Sequence, residues 1–490
     1  MKNQHALLLL LASVLGLPVA VAADTQVLEV KWPDTQAARL AKGWLDVCQT
    51  PTFERQKTWT VANASAEVVK QFDWIARNPV AMCAGNGGFR AVEIDKSEAK
   101  AITVLMVGRQ SGLWQRMEFV ADDAGKLDRV GLWFAMPPEA ALPKNLDDAM
   151  FAAEVKKFAA QEARLGLFSG IISVARGTQI IASASGGYAN REKKTPITGS
   201  TQFTLGSMGK MFTAAAIGQL VDQHKLSFDD TVGKIFPDYP NKTVRDKVAV
   251  RMLLSHTAGM GDFLGKRTPA MMKNGVKTAT EVLPLFDKDE PQFAPGTSWA
   301  YSNAGLVLAG AIVEKVSGED YPDYLRKHIF AVAGMSNSDP NNIPRKRAQL
   351  VTPYTKMSEK GPTADWHEAE SDVGMPAGGA ISTADDLIRF ADALRNGKLV
   401  SPAVFAQMTQ PYRAGGDYGL AMQIDGVYGR TVVGHGGNYA GVSTRLGLVL
   451  GTPYTVVVLA NQDLLSDTII ALNVEAMTAK KAKTEASAKP

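Results

Sequence analysis

Ser207-Met208-Gly209-Lys210 sets a hydroxyl and an amine three residues apart, and on a helix that spacing puts both on one face. A serine hydroxyl is a weak nucleophile at neutral pH unless a base lies within hydrogen-bonding reach, and the lysine stands where such a base would be. A helix start adds unpaired backbone N–H groups pointing to where an attacked carbonyl gathers negative charge. The same pattern recurs as Ser97-Glu98-Ala99-Lys100, inside the charged stretch Asp95 to Lys100 that reads as a solvated turn. Ser207 instead follows Phe203-Thr204-Leu205 and opens an apolar helix through Met211, Phe212, Ala214 to Ala216, Ile217, Leu220 and Val221. A lysine facing inward from a buried helix needs polar partners, which points to a polar site.

Two later segments suit the same chemistry. Tyr301-Ser302-Asn303 follows the restricted turn Phe293-Ala294-Pro295-Gly296-Thr297 and precedes the apolar helix Ala304 to Val316, so Tyr301 and Asn303 stand at a helix start. A tyrosine beside a lysine is expected to have a lowered pKa and to shuttle a proton. The competing reading makes Ser302 or Asn303 a helix cap and Tyr301 a packing residue. His435-Gly436-Gly437 lies between Val432-Val433-Gly434 and Tyr439-Ala440-Gly441, in a strand whose glycines clear one edge for a substrate carbonyl. His435 is expected as a polar handle at the rim of that edge, unless the glycines only form a bulge and the histidine lies on the surface.

These segments must be positioned by elements far apart in the chain. From Asp24 to about 136, helical periodicity over Ala37 to Val47 and Glu67 to Ile75 gives way to strand-like runs at Gly88 to Ile94, Ala101 to Val107, Leu113 to Val120 and Val130 to Ala135. Ala121 to Lys126 reads as a hairpin loop. The order predicts a small α+β domain, helices on a curved antiparallel sheet, resembling the nuclear-transport-factor-2-like (NTF2-like) superfamily. A Pro-rich linker follows at 137–145, beginning Pro137-Pro138-Glu139. The second domain, 146–479, opens with a helix over Leu146 to Leu165 and strands at Phe168 to Ala175 and Ile180 to Ser185. A mainly helical middle runs from Asp229 to about Leu399, and strands return at Leu420 to Ile424, Thr431 to Gly434, Ser443 to Leu450 and Tyr454 to Ala460 before a last helix. Strands at both ends imply one antiparallel sheet flanked by helices with a helical region inserted, an α/β (α+β) arrangement. Ser382-Thr383-Ala384-Asp385-Asp386 reads as a structural helix start. The tail 480–490 is polar and expected to fray.

Composition narrows the setting. The 490 residues are 46% hydrophobic with a formal net charge of only +4, and no basic stripe interleaved with aromatics supports nucleic-acid binding. Lys2 precedes an apolar run from Ala6 to Val21 ending in Ala20-Val21-Ala22, which predicts a cleavable signal peptide over 1–22. The run holds Ser13, Gly16 and Pro18 and is short for a bilayer span, so export to a periplasm or the medium is expected, without stable membrane insertion afterwards. Cys48 and Cys83 are the only cysteines; they form a disulfide in an oxidising compartment or remain two buried thiols, and they make a poor zinc site. No metal or organic cofactor is called for.

The three motifs in this order resemble the serine β-lactamase and penicillin-binding-protein-like family, in its class C β-lactamase, D-alanyl carboxypeptidase and esterase branch, where SxxK, YxN and a [K/H/W]xG strand line the cleft. Leu253-Leu254-Ser255-His256-Thr257-Ala258-Gly259, Phe293-Ala294-Pro295-Gly296 and Pro376-Ala377-Gly378-Gly379 ahead of Ile381-Ser382-Thr383 carry the resemblance further. It covers about 146 to 479 and implies a β-lactamase/transpeptidase-like fold. It also implies that Ser207 is acylated, Lys210 is its base or proton relay, Tyr301 shuttles a proton to the leaving group and Asn303 positions the substrate. The N–H groups of Ser207 and Asn438 would form the oxyanion hole beside Gly436 and Gly437, and the loop of His256 is structural in that family. His435 stands where a lysine often binds a carboxylate; a histidine is largely neutral at pH 7 and does so less reliably. That shifts the expectation toward a serine hydrolase acting through an acyl-enzyme on a small ester, amide or peptide. The alternatives are a penicillin-binding sensor that acylates without turnover, a true class C-like β-lactamase, or a main role for the first domain as a ligand pocket.

Overall fold

The computed structural model describes residues 30–70, 77–143, 146–266, 278–340, 349–358, 361–368, 375–412, 415–463 and 466–487. The expected signal peptide lies outside the described residues, as does part of the helix expected over Glu67 to Ile75. Among the described residues no helix is long and apolar enough to cross a membrane.

Helix α1 (Gln36–Gln49) starts where the Thr35 side chain accepts a bond from the Ala38 N–H, and Ala37, Leu40, Ala41, Trp44, Leu45 and Cys48 form its buried stripe. That stripe covers one face of an antiparallel sheet, β1 (Phe89–Ser97), β2 (Ala101–Gly108), β3 (Trp114–Ala121) and β4 (Leu127–Phe134), meeting Phe89, Ile102, Val104, Met117 and Phe119. Helix α2 (Phe53–Asn63) was not anticipated from periodicity, because it buries Gln56 and Thr60 and so carries no apolar stripe. Cys48 and Cys83 are joined in a disulfide, with Cα atoms 5.2 Å apart, tying α1 to α4 (Arg77–Asn86), which lies beyond the short helix α3 (Ala66–Lys70).

The second sheet is built from both ends of the remaining chain. Strands β5 (Gly170–Arg176) and β6 (Gln179–Gly186) pair with the late strands β7 (Gln423–Val427), β8 (Arg430–Tyr439), β9 (Val442–Val449) and β10 (Tyr454–Ala460), in the order β7-β8-β9-β10-β5-β6. The sheet is covered on both faces, which explains runs such as Val456-Val457-Val458-Leu459 with every residue buried. Ile172, Val174, Val456 and Val458 face α5 (Asp148–Arg164) and the C-terminal helix. Ile171, Val457, Leu459 and Leu446 face the helical region. In that region α6 (Lys210–Asp222) and α7 (Asn303–Ser317) are buried on nearly all sides, and Phe212 meets Phe330 and Phe390 edge-on at 5.0 and 4.8 Å. Helix α8 (Ala384–Arg395) is capped by Thr383, whose hydroxyl accepts from the Asp386 N–H.

The C-terminal helix α9 (Ser466–Ser487) corrects one expectation. The tail does not fray at 480: α9 continues to Ser487, and its lysines hold the proline-rich linker. Lys480 Nζ donates to the carbonyls of Glu139 and Leu142 at 2.9 and 2.8 Å, and Lys481, 2% exposed, donates to Leu146 O at 2.6 Å. Linker carbonyls have no strand partners there, and the lysine heads satisfy them. The second Ser-x-x-Lys copy sits at the β1–β2 turn, where the exposed Lys100 pairs with Asp123.

The disulfide closes a loop of sequence separation 35. On a chain-entropy estimate that contributes about 3–4 kcal/mol. A Cys48→Ser/Cys83→Ser variant should therefore unfold at lower temperature and urea concentration in circular dichroism, and reductant should move the wild type toward the same midpoint.

Candidate active site

Ser207 stands where three parts of the chain meet. Gly206, just before it, has φ +56, and a Cβ there would lie 3.2 Å from the Cα of Gly437, so a residue without a side chain admits the close approach of β8. Residues Gly206–Gly209 form a 3₁₀ turn that leads into α6. Side chains three apart eclipse in a 3₁₀ turn, which aligns Ser207 with Lys210 more closely than an α-helical start would.

Lys210 is 0% exposed. Its Nζ donates to Ser207 Oγ at 3.1 Å, to Asn303 Oδ1 at 2.8 Å and to the carbonyl of Ala377. Three oxygens surround the amine, from the 3₁₀ turn of Ser207, from α7 and from the Pro376-Ala377-Gly378-Gly379 loop. That loop is itself fixed, because Thr213 Oγ1 donates to Pro376 O at 2.7 Å and Gly310 of α7 gives Pro376 room that a Cβ would fill. Asn303 is held from its other side, where Nδ2 donates to Asp262 Oδ2 at 2.7 Å.

Ser302 caps α7, accepting from Gly305 N at 2.9 Å, so the capping role belongs to it and leaves its neighbours to face the cleft. Tyr301 lines the cleft with Ser207, and Lys210 Nζ stands 4.8 Å from the centre of its ring. The expected lowering of its pKa is corrected: burial pushes the phenol up to about 12, outweighing the opposing effect of the Ser207 hydroxyl. The lysine lies over the ring face, and Tyr301 lines the cleft although 38% of the residue is exposed. Tyr301 is a neutral phenol at physiological pH.

His435 is corrected too, since it is 1% exposed and lies under Tyr418 instead of at the rim. A directed chain links it to His256. The Ser302 N–H donates to His256 Nδ1 at 3.1 Å, so His256 Nε2 carries a proton toward Tyr418 Oη at 2.9 Å. Tyr418 then donates to His435 Nε2 at 2.9 Å, and His435 Nδ1–H donates to Gly436 O at 2.5 Å. Every member is satisfied only with both imidazoles neutral. Burial, then the charge of Lys210, lowers His435 to about 3 and holds His256 well below its ordinary value. His256 has φ +62, a conformation kept because both ring nitrogens and its packing against Tyr301 at 4.4 Å hold it.

Beyond Gly434, β8 outruns β7 and residues 435–439 pair with β9 alone among the described strands. The Gly436 N–H turns away from β9 to the Gln423 side chain at 3.2 Å. Along a strand N–H groups alternate sides, so that of Asn438 turns the same way, toward Gly206 and Ser207. A Cβ on Gly437 would come within 1.9 Å of the Leu205 carbonyl, and Thr444 Oγ1 donates to the same oxygen at 2.7 Å. Gly437 thus sets the distance between the strand and the turn of Ser207. Gln423 Oε1 also accepts from Arg445, which is buried and bonded to Glu475 at 2.8 Å and Asp425 at 2.5 Å. Among the described residues no cluster of three or more His, Cys, Asp or Glu is arranged to hold a metal ion.

Residues 151–474 match the family model described as Beta-lactamase. The chain belongs to the β-lactamase family of serine hydrolases. It is 29% identical over 316 residues to penicillin-binding protein 4* of Bacillus subtilis (strain 168), covering 60% of this chain and 68% of that one. It is 27% identical over 314 residues to a D-aminopeptidase of Gluconobacter oxydans (strain 621H), covering 60% of this chain but 55% of that protein. Among solved structures, the penicillin binding protein from Bacillus halodurans superposes with a TM-score of 0.56 at 28% identity, over 68% of this chain and 99% of that one. The chain thus spans between about half and two thirds of the length of these two curated relatives, and the first 150 residues fall outside the family match.

The structure brings Ser207, Lys210, Tyr301, Asn303, His435 and the Gly436–Asn438 edge of this β-lactamase-family hydrolase together. Sequence reasoning missed Tyr418 and Asp262, single residues in loops without periodic signal. The Ala377 carbonyl could have been found only through the loop pattern around it.

Histidines neutral in the fold but protonated in the unfolded chain penalise folding as pH falls. Stability is full above the ordinary value of 6.5 and declines below it until the folded group itself takes a proton, near 3 for His435. Each histidine removes up to ~1.4 kcal/mol per pH unit across that window. Urea midpoints measured from pH 7 to 4 should fall, and His435→Gln should make the decline shallower by one proton's share.

Proposed function

We propose that this chain hydrolyses a small ester, amide or peptide through an acyl-enzyme on Ser207. The observation that carries the reading is Lys210, buried among Ser207 Oγ, Asn303 Oδ1 and the Ala377 carbonyl, with its amine 3.1 Å from the nucleophile. The reactive form of Lys210 is its free amine, which takes the hydroxyl proton as Ser207 attacks the carbonyl and returns it to the Ser207 oxygen when water releases the acid. The N–H groups of Ser207 and Asn438 receive the oxyanion, and Asn303 aligns the substrate. Tyr301, a neutral phenol that lines the cleft with Ser207, gives a proton to the leaving group and recovers it from the water that releases the acid.

A carboxylate-bearing β-lactam fits this cleft less well than a neutral ester. His435 carries no charge at neutral pH, and Arg445 is already paired with Glu475 and Asp425. Similarity to a D-aminopeptidase supports amide substrates as well. Export, as the leader suggests, is supported by the Cys48–Cys83 disulfide, which persists in an oxidising compartment. Helices packed on one face of a four-stranded antiparallel sheet support the NTF2-like reading of the first domain.

A fluorophosphonate probe should label the wild type and leave Ser207→Ala unlabelled. Steady-state hydrolysis of p-nitrophenyl acetate should fall about 10²–10⁴-fold in Lys210→Met and in Tyr301→Phe. A single burst without turnover in the wild type would instead identify an acylating sensor. Nitrocefin should be a poorer substrate than the neutral ester.

A further inference from the structure

The cleft that holds Ser207 has a wall from the first domain. Its volume of about 1070 Å³ is lined by Ser207, Tyr301 and His435 on one side and by Glu93, Leu105, Arg116 and Trp133 on the other. Those four residues come from four different strands, and the register makes them one row: Glu93 is opposite Leu105, Leu105 opposite Arg116, and Arg116 opposite Trp133. Three inter-strand steps of ~4.8 Å make the row roughly 14 Å long. It belongs to the sheet face opposite α1, where Leu105 packs with Val107 and Trp114 in a small cluster separate from the α1 core.

Trp133 is 47% exposed, an uncommon state for an indole in a folded sheet. Gly131, two residues earlier on the same face, gives it a flat bed, since a Cβ there would lie 2.4 Å from the ring. The neighbouring Arg116 is paired with Asp95, so the row offers no unpaired guanidinium for an anion, and Glu93 adds a carboxylate. The cleft is at the upper end of the ~300–1,000 Å³ range that encloses drug-sized ligands, far more than the reacting group alone needs. Its wall is docked: α9 packs against β3 and β4, and Tyr428 of the second domain bonds the Pro137 carbonyl.

We propose that the β1–β4 row is a specificity wall on which the substrate lays a neutral, apolar or aromatic arm, stacked on Trp133 and resting on Leu105, while its carbonyl sits at Ser207. This deepens and rests on the acyl-enzyme reading of the cleft. The substrate class is accordingly an extended ester or amide with an uncharged hydrophobic group, not an acid-bearing one.

The test uses the full chain and two series of esters. One lengthens the acyl side from acetyl to 4-phenylbutyryl with a carboxylated arm of similar length as control, and one lengthens the leaving alcohol with an aryl group. Wild type should prefer the aryl arm in one of the series and discriminate against the carboxylated one. Trp133→Ala should lose about tenfold in kcat/KM for the aryl substrate, through KM, with acetyl ester unchanged, and Trp133→Phe should keep most of the preference. Equal rates for short and long arms, or a preference untouched by Trp133→Ala, would overturn the proposal. If no ester is turned over, the hydrolase reading fails instead. Calorimetric binding of the aryl ester to Ser207→Ala, with and without Trp133→Ala, then still decides the wall: tenfold weaker binding supports it, equal or undetectable binding overturns it.

Discussion

A lysine amine with no exposed surface, set at the start of an apolar helix, constrains everything around it. Leaving a buried ionisable group without partners costs several kcal/mol, so each of its donors must meet an oxygen. The acceptors of Lys210 belong to the 3₁₀ turn of Ser207, to α7 and to the 376–379 loop, and satisfying them fixes those three segments relative to one another. Thr213, on the next turn of α6, repeats the arrangement by binding Pro376 O and meeting the Tyr321 hydroxyl at 2.7 Å. The polar needs of one helix face thereby organise the apolar packing of the inserted region.

Strain accumulates around that centre. His256, Ala380 and Ala421 all have positive φ without being glycine, and each such residue costs about 1–2 kcal/mol. All three lie on segments that converge on the site: Ala380 O accepts from Leu205 N close to Ser207, and Ala421 N donates to Leu254 O beside the His256 loop. The Ser302–His256–Tyr418–His435–Gly436 chain holds these segments by bonds whose direction leaves no donor facing a donor. On the far side, Arg445 links β9 to α9 and, through Gln423, to the exposed end of β8. The strand edge beside Ser207 is therefore set by buried charge behind it.

Much of the architecture was legible because its signals are local. The continuous apolar strands, the Thr383 and Ser302 caps and the apolar helices behind Ser207 and Asn303 follow from residue type and spacing. Helix α2 was not, because polar Gln56 and Thr60 are what it buries, and the ordered tail was not, because its lysines are satisfied by carbonyls more than 330 residues away. At the site the motifs were visible but their electrostatics were not. Tyr301 beside a lysine suggests a depressed pKa, whereas enclosure reverses the sign; His435 on a glycine strand suggests a rim, whereas Tyr418 covers it.

The sequence by itself determined which groups can react and in what order they occur, since a serine, a lysine one turn away, a tyrosine and a glycine-cleared strand each announce their chemistry through type and spacing. Tertiary structure alone decided how those groups are charged, which carbonyl and which aspartate hold them, and that a sheet nearly a hundred residues upstream closes the cleft. The reason is physical: reactivity of a side chain is covalent and local, while desolvation, hydrogen-bond direction and the shape of a cavity depend on atoms brought near from anywhere in the chain.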